Sequence, residues 1–285
     1  MQVLIEKELN TSDRILKPDC KNKTGRELLA FYMQTKLKQI FAHDRKNENP
    51  IFIEMNPNFI SKFTRRLINN PQKRFLIGVT GESASGKSTI CRILQNEIKR
   101  LDMPISVMST DNYFNDISEQ IEVYGGFDEL VATGYDVDAP SSFQLDILKE
   151  DLSQLADGID ILTPEYLVNG TGVSVPKTIE VKSQKIIVVE GLATMYEDIK
   201  DLFDIKIYIE SDPEIRKNWF IQRASSERNQ SYENALNHWE YLKTVGHMYV
   251  LPHRNDADFV LSGSADLEYF AKVLEYFHTI TNNFE

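Results

Sequence analysis

Residues 78–89 read GVTGESASGKST and join the end of an apolar run that begins at Phe75 to a stretch with helical spacing. Gly81, four residues, then Gly86, Lys87 and Ser88 is the spacing of a phosphate-binding loop that follows a strand and opens a helix. The residue types have physical reasons. Glycines let successive backbone N–H groups turn inward around an anion, and the helix N-terminus adds positive potential. Lys87 can neutralise outer phosphates, and the Ser88 hydroxyl can ligate Mg²⁺. Gly81, Glu82, Ser83, Ala84, Ser85, Gly86, Lys87, Ser88 and Thr89 are therefore the expected nucleotide-binding segment.

Outward from this loop, apolar strand candidates alternate with amphipathic helices: FLIGVT, ISVMST, KIIVVEG, DIKIYIE and ADFVLSG. Such alternation predicts a parallel sheet covered by helices on both faces, a three-layer α/β architecture. Ser141 with Gln144 reads as a capping box ahead of Leu145, Asp212 with Pro213 opens another helix, and Ser264 opens the last. Residues 159–183 read as extended segments inserted before a core strand. Before residue 71 the pattern differs: Leu28, Leu29, Tyr32, Met33, Leu37, Ile40 and Phe41 recur at helical spacing after TGRE. Residues 1–70 are read as a mostly helical extension, and 71–285 as the domain that carries the chemistry.

Ligands of open parallel sheets bind at the carboxyl ends of the strands, so acids and bases there are the candidates. Asp111 ends the strand after the loop helix. It could accept a proton from an attacking hydroxyl or hold Mg²⁺ through water. Glu190 ends KIIVVE and would project near the same metal. Asp136 and Asp138, in GYDVDAPSSF, could hold sugar hydroxyls or be ordinary loop acids. Arg223 and Arg228 stand near a helix junction, where arginines can stabilise charge on a transferring phosphoryl group or simply face solvent.

Composition narrows the classes. The chain has 285 residues, 41% of them hydrophobic, and a net charge of −11, which argues against a general nucleic-acid surface. Residues 1–70 hold 13 Lys/Arg against 8 Asp/Glu, and the remainder 19 against 35. A solvated helical face or a contact with an acidic partner would each account for that asymmetry. Two cysteines, Cys20 and Cys91, have no metal-ligand spacing. The apolar runs are too short to cross a membrane, and MQVLIEKELN lacks the pattern of a secretory signal, so a cytoplasmic location is expected.

GESASGKST, STDNYF, DAPSSFQLDILKEDLSQL, TPEY, IIVVEGL, FDIKIYIESDPEIR, QRASSER and ADFVLSG, in that order, resemble the uridine kinase and phosphoribulokinase family of P-loop kinases over residues 74–263. The resemblance implies the P-loop NTPase fold and transfer of the γ-phosphate of ATP or GTP to a primary hydroxyl, with Mg²⁺. It implies Asp111 as base, with Lys87, Arg223 and Arg228 in catalysis; Ser88, Glu190 and Asp111 at the metal; and Asp138 and Tyr166 at the acceptor. Val168, Thr171 and His238 stand where the family has base-contacting residues, and Ala224, Asn229 and Gln230 alter its lid. Uridine is the default acceptor. A sugar phosphate, a vitamin or another nucleoside is the alternative, and a non-catalytic nucleotide-binding module is a further one. The acid at Asp111 together with lid-like arginines favours a kinase, because a switch needs no acceptor base. The expected partners are a nucleoside triphosphate and a small hydroxylated substrate, without nucleic acid or membrane, and a homo-oligomer is compatible with the chain.

Overall fold

The computed structural model describes residues 23–46, 50–69, 73–101, 104–167, 169–228 and 231–264. The elements before the loop are α1 (Lys23–Asp44), β1 (Phe52–Met55), α2 (Phe59–Asn69) and β2 (Phe75–Thr80). Then come α3 (Lys87–Leu101), β3 (Ile105–Ser109), α4 (Ser118–Tyr124), α5 (Phe127–Ala132) and α6 (Leu145–Ala156). A hairpin of β4 (Ile161–Tyr166) and β5 (Ser174–Val181) precedes β6 (Ile186–Glu190) and β7 (Ile205–Glu210). The chain continues through α7 (Pro213–Arg228), α8 (Tyr232–Val245) and β8 (Phe259–Ser262).

One six-stranded sheet runs β1-β8-β7-β2-β6-β3, parallel throughout except for β1, which is antiparallel to β8. All six residues of β2 are buried, as a strand covered on both faces requires. Alternation sends Leu76, Met108, Ile187 and Val189 against Leu148, Leu152 and Leu155 of α6 and against Ile161 and Val181 of the hairpin. Each such leucine contributes about 1.5–3 kcal/mol by leaving water. On the opposite face α3 packs over β3 and β6.

All five apolar runs read from the sequence are strands of this sheet, and the extended segments form the separate two-stranded hairpin. Asp212 opens α7 as expected, its Oδ1 accepting from the N–H groups of Glu214 (2.9 Å) and Ile215 (3.3 Å). The capping box at Ser141 and Gln144 does not form. Gln144 is itself the residue before α6 and makes no side-chain cap bond. Its Nε2 donates instead to Phe114 O (2.8 Å) and Ser174 Oγ (3.1 Å), which ties the hairpin to β3's outgoing turn. The helix expected after Ser264 lies outside the described residues.

The segment before residue 71 is helical over α1 and α2, but it also supplies strand β1. Asp44 directs this: its carboxylate accepts from the N–H groups of Ile51 (3.2 Å) and Phe52 (2.8 Å), turning the chain toward β8. Among the described residues no helix is long and apolar enough to cross a membrane.

Candidate active site

The loop after β2 has the conformation its glycines permit. Gly81 and Gly86 have φ of +150° and +100°, and a Cβ on Gly81 would lie 2.3 Å from Ile209 O, so neither position tolerates a side chain. Lys87, the first residue of α3, folds back so that Nζ donates to Gly81 O (2.5 Å) and Glu82 O (2.9 Å). Two buried hydroxyls at the cradle, Thr80 Oγ1 and Ser85 Oγ, have no partner. Ser88 and Thr89 are exposed on the first turn of α3.

Glu190 arrives by register. At the end of β6 it pairs with Val79 of β2 on one side and Ser109 of β3 on the other, between the loop and the turn that carries Asp111. That turn is a short 3-10 helix, Thr110–Tyr113, in which Asp111 N–H donates to Ser109 Oγ (3.2 Å). It is held from below by Tyr113, whose buried hydroxyl donates to Asp151 (2.7 Å). Gly191 lets β6 approach: a Cβ there would fall 2.0 Å from Thr110 Oγ1 and 3.2 Å from Asp111 Oδ1.

Lys87, Asp111, Glu190 and Asp138 form one electrostatic group. Burial pulls Lys87 below the usual lysine range, while Glu190, Asp111 and Asp138 oppose that and Arg216 adds to it. Asp111 lies in an open cleft that solvent reaches, yet the surrounding protein limits its hydration. That desolvation, with the charge of Glu190, pushes it up to about 6 against the pull of Lys87. Asp138 is 9% exposed, and burial, then Asp111 and Asp136, push it up to about 7. Cys91, behind them, is driven upward by burial and remains a thiol. A cavity of about 640 Å³ opens beside Ser88 and Glu190 and runs along β3 toward the hairpin.

Asp136 and Asp138 differ in their surroundings. Asp136 accepts from Tyr249 (2.8 Å), Tyr241 (3.4 Å) and the N–H of Asp138 (3.2 Å), so its charge is spent on protein donors. Asp138 is held through its backbone carbonyl, which accepts from Tyr196 (2.5 Å). Tyr166 ends β4, half-buried, with its ring 5.3 Å from that of Phe114.

The remaining expected positions are placed apart from this group. Thr171 is exposed in the hairpin turn, its N–H and hydroxyl both donating to Asn169 Oδ1 (3.1 and 2.5 Å). His238 stands edge-on to Phe220 (5.1 Å, 88°) in the α7–α8 pair. Arg223 is on an exposed face of α7, and Arg228 is the last residue of that helix. Val168, Asn229 and Gln230 lie outside the described residues. Sequence reading missed Gly191, the two tyrosines on Asp136, and an ion pair of Glu82 with Arg216. Of these only Glu82, an acid inside an anion cradle, carried a local signal.

Residues 76–267 match the model of the Phosphoribulokinase / Uridine kinase family. Uridine-cytidine kinase B of Dictyostelium discoideum is 29% identical over 195 residues, 67% of this chain and 76% of that protein. A uridine kinase of Lactobacillus helveticus is 32% identical over 194 residues, 67% of this chain and 87% of that protein. The solved structure of a candidate fructose transport system kinase from Silicibacter overlays with a TM-score of 0.53 at 16% identity, covering 70% of this chain and 95% of that one, a likeness of fold.

Proposed function

Because the chain belongs to the phosphoribulokinase and uridine kinase family and is a phosphotransferase acting on a hydroxyl group, we propose that it moves the γ-phosphate of a nucleoside triphosphate to the 5′-hydroxyl of a nucleoside, with uridine as the expected acceptor. Family membership makes ATP the co-substrate. The observation that carries the reading is the convergence of a cation and three acids, Lys87, Asp111, Glu190 and Asp138, at the carboxyl ends of β2, β3 and β6.

In this reading residues 81–89 seat the triphosphate through backbone N–H groups and Lys87 neutralises it. Ser88, Glu190 and Asp111 offer hard oxygen donors, a set that suits Mg²⁺. When bound, that ion neutralises charge building on the phosphates. Asp111 takes the proton from the acceptor hydroxyl, and its value of about 6 suits a base that must be ionised near neutrality and still accept a proton. Asp138 and Tyr166 hold the sugar portion, Thr171 and His238 border the base, and Arg223 and Arg228 cover the transferring group. A cytoplasmic setting, with no nucleic acid in the reaction, completes the proposal.

The test is kcat/KM for uridine, cytidine, a purine nucleoside and a 2′-deoxy analogue, each with ATP and GTP. Thr171 spends its polar atoms within its own turn and His238 lies against Phe220, so changes to the base should be tolerated better than loss of a ribose hydroxyl. Transfer to a sugar phosphate but to no nucleoside would overturn the nucleoside assignment and leave the kinase reading intact.

A further inference from the structure

Glu82, the residue after Gly81, is half-buried. Its Oε2 accepts from Arg216 Nη1 (2.5 Å), and Arg216 Nε donates to Ser83 O (3.1 Å). Arg216 stands in the first turn of α7, is 4% exposed, and lies with its guanidinium 5.4 Å from the Trp239 ring of α8. Its remaining nitrogen, Nη2, is buried without a partner. Gly246, just beyond α8, closes on the same carboxylate: a Cβ there would lie 2.9 Å from Glu82 Oε1. Ala84 packs on the cluster of Phe220, Ala224, Ala235 and Trp239 between the two helices. The edge of the cradle is thus gripped by the α7–α8 pair.

That pair also reaches the acceptor side, because Tyr241 of α8 and Tyr249 of the π-helical turn after it both donate to Asp136. Stability alone is a poor account of the Glu82–Arg216 contact. Buried ion pairs are often no more stabilising than apolar residues of the same volume, and this one leaves a guanidinium donor unmet. What it does supply is a stiff, two-pronged connection between a loop and a helix pair.

We infer that Glu82 and Arg216 are positioning residues that make the α7–α8 pair respond to a nucleotide in the cradle and, through Tyr241 and Tyr249, pass that response to the acceptor loop. The inference rests on the kinase reading only in that a nucleotide binds residues 81–89.

The chain has two tryptophans, so Trp219→Phe leaves Trp239, beneath Arg216, as the single reporter. Adding Mg²⁺ and a non-hydrolysable ATP analogue should change its emission. In the same background, at analogue concentrations that calorimetry shows to saturate each protein, Glu82→Gln should cut that amplitude by about threefold or more. The gain in uridine affinity on adding the analogue, expected in the roughly 5- to 150-fold range of site coupling, should fall toward one. If Glu82→Gln does not fold, Arg216→Lys, which keeps the cation but loses the fork, is read the same way. An undiminished Trp239 response in either folded variant, or none in the parent, overturns the inference, as does failure of both variants to fold. A normal response without phosphate transfer to any nucleoside would instead sink the acceptor assignment.

Discussion

A carboxyl that titrates near neutrality is a stronger base than an ordinary surface aspartate and is still ionised in good part at neutral pH. Asp111, pushed up to about 6 by the limited hydration of its cleft and by Glu190, should give a kcat/KM that falls as pH drops through that value and levels off above it. Because Asp138 interacts with it and is pushed up to about 7, the limb reports the pair rather than either residue. Asp111→Asn should lower kcat by about 10²- to 10⁴-fold with little change in nucleotide binding. A kcat within a few-fold of the parent would reduce Asp111 to a turn residue. Asp138 makes an opposite demand on stability. Its folded value lies above the ordinary 3.8, so the fold prefers the protonated form. The resulting penalty is absent below about pH 4, grows as pH rises, and is complete above about 7. Asp138→Asn should therefore raise the urea midpoint over the parent at pH 8, with the gain fading by pH 4, even as it weakens acceptor binding. A gain equal at both pH values would locate its origin in packing.

At the scale of elements, the site depends on β6 ending one residue from a glycine. Gly191 has φ of +130°, and a methyl group on it would collide with Thr110 and press on Asp111. Gly191→Ala should lose about 1–3 kcal/mol of stability from backbone strain and lower kcat more than it raises KM, since Asp111 is displaced while the cradle is not. Urea unfolding and steady-state kinetics check both, and an unchanged kcat would mean that the Thr110–Tyr113 turn moves aside freely. Where elements were legible in the sequence, burial made them so: β2 and β6 are covered on both faces and read as apolar runs up to their last residue, and β7 reads as one interrupted only by the buried Lys206 before its closing Glu210. Glu190 and Asp111 were readable because strand ends mark the crevice. β1 was not, because four residues with a Beei burial pattern carry no usable period. The Ser141–Gln144 cap failed because a hairpin thirty residues away offered Gln144 better partners. Glu82 and Arg216 are 134 residues apart, and no local pattern joins them.

At the scale of the whole molecule, the question is whether residues 1–70 are a detachable extension or part of the folded body. Phe41, Phe52, Phe59 and Phe63 are all buried, and they continue into the sheet: Phe59 lies 4.4 Å from Phe259 of β8 and Phe63 5.6 Å from Phe75 of β2. Arg66 joins Asp204 at 2.6 Å, while the other oxygen of that carboxylate accepts from Leu76 N–H (3.2 Å), so α2 is tied to the strand that precedes the cradle. Removal of residues 1–70 would leave β8 as an unpaired edge and uncover Phe75 and Phe259. Loss of even one such ring as Phe→Ala costs about 3–5 kcal/mol, and a domain has only about 5–15 kcal/mol in hand. A chain beginning at residue 71 should therefore be insoluble or bind a hydrophobic dye without a cooperative unfolding transition, despite retaining every residue of the proposed site. Phe59→Ala in the full chain should remain folded, unfold at lower urea, and keep its kcat below the transition, because the ring is on the far side of the sheet order from β6 and β3. A truncated chain that unfolds cooperatively at the parent's midpoint would show that the aromatic contacts add nothing to the kinase body, and that the segment is carried rather than required.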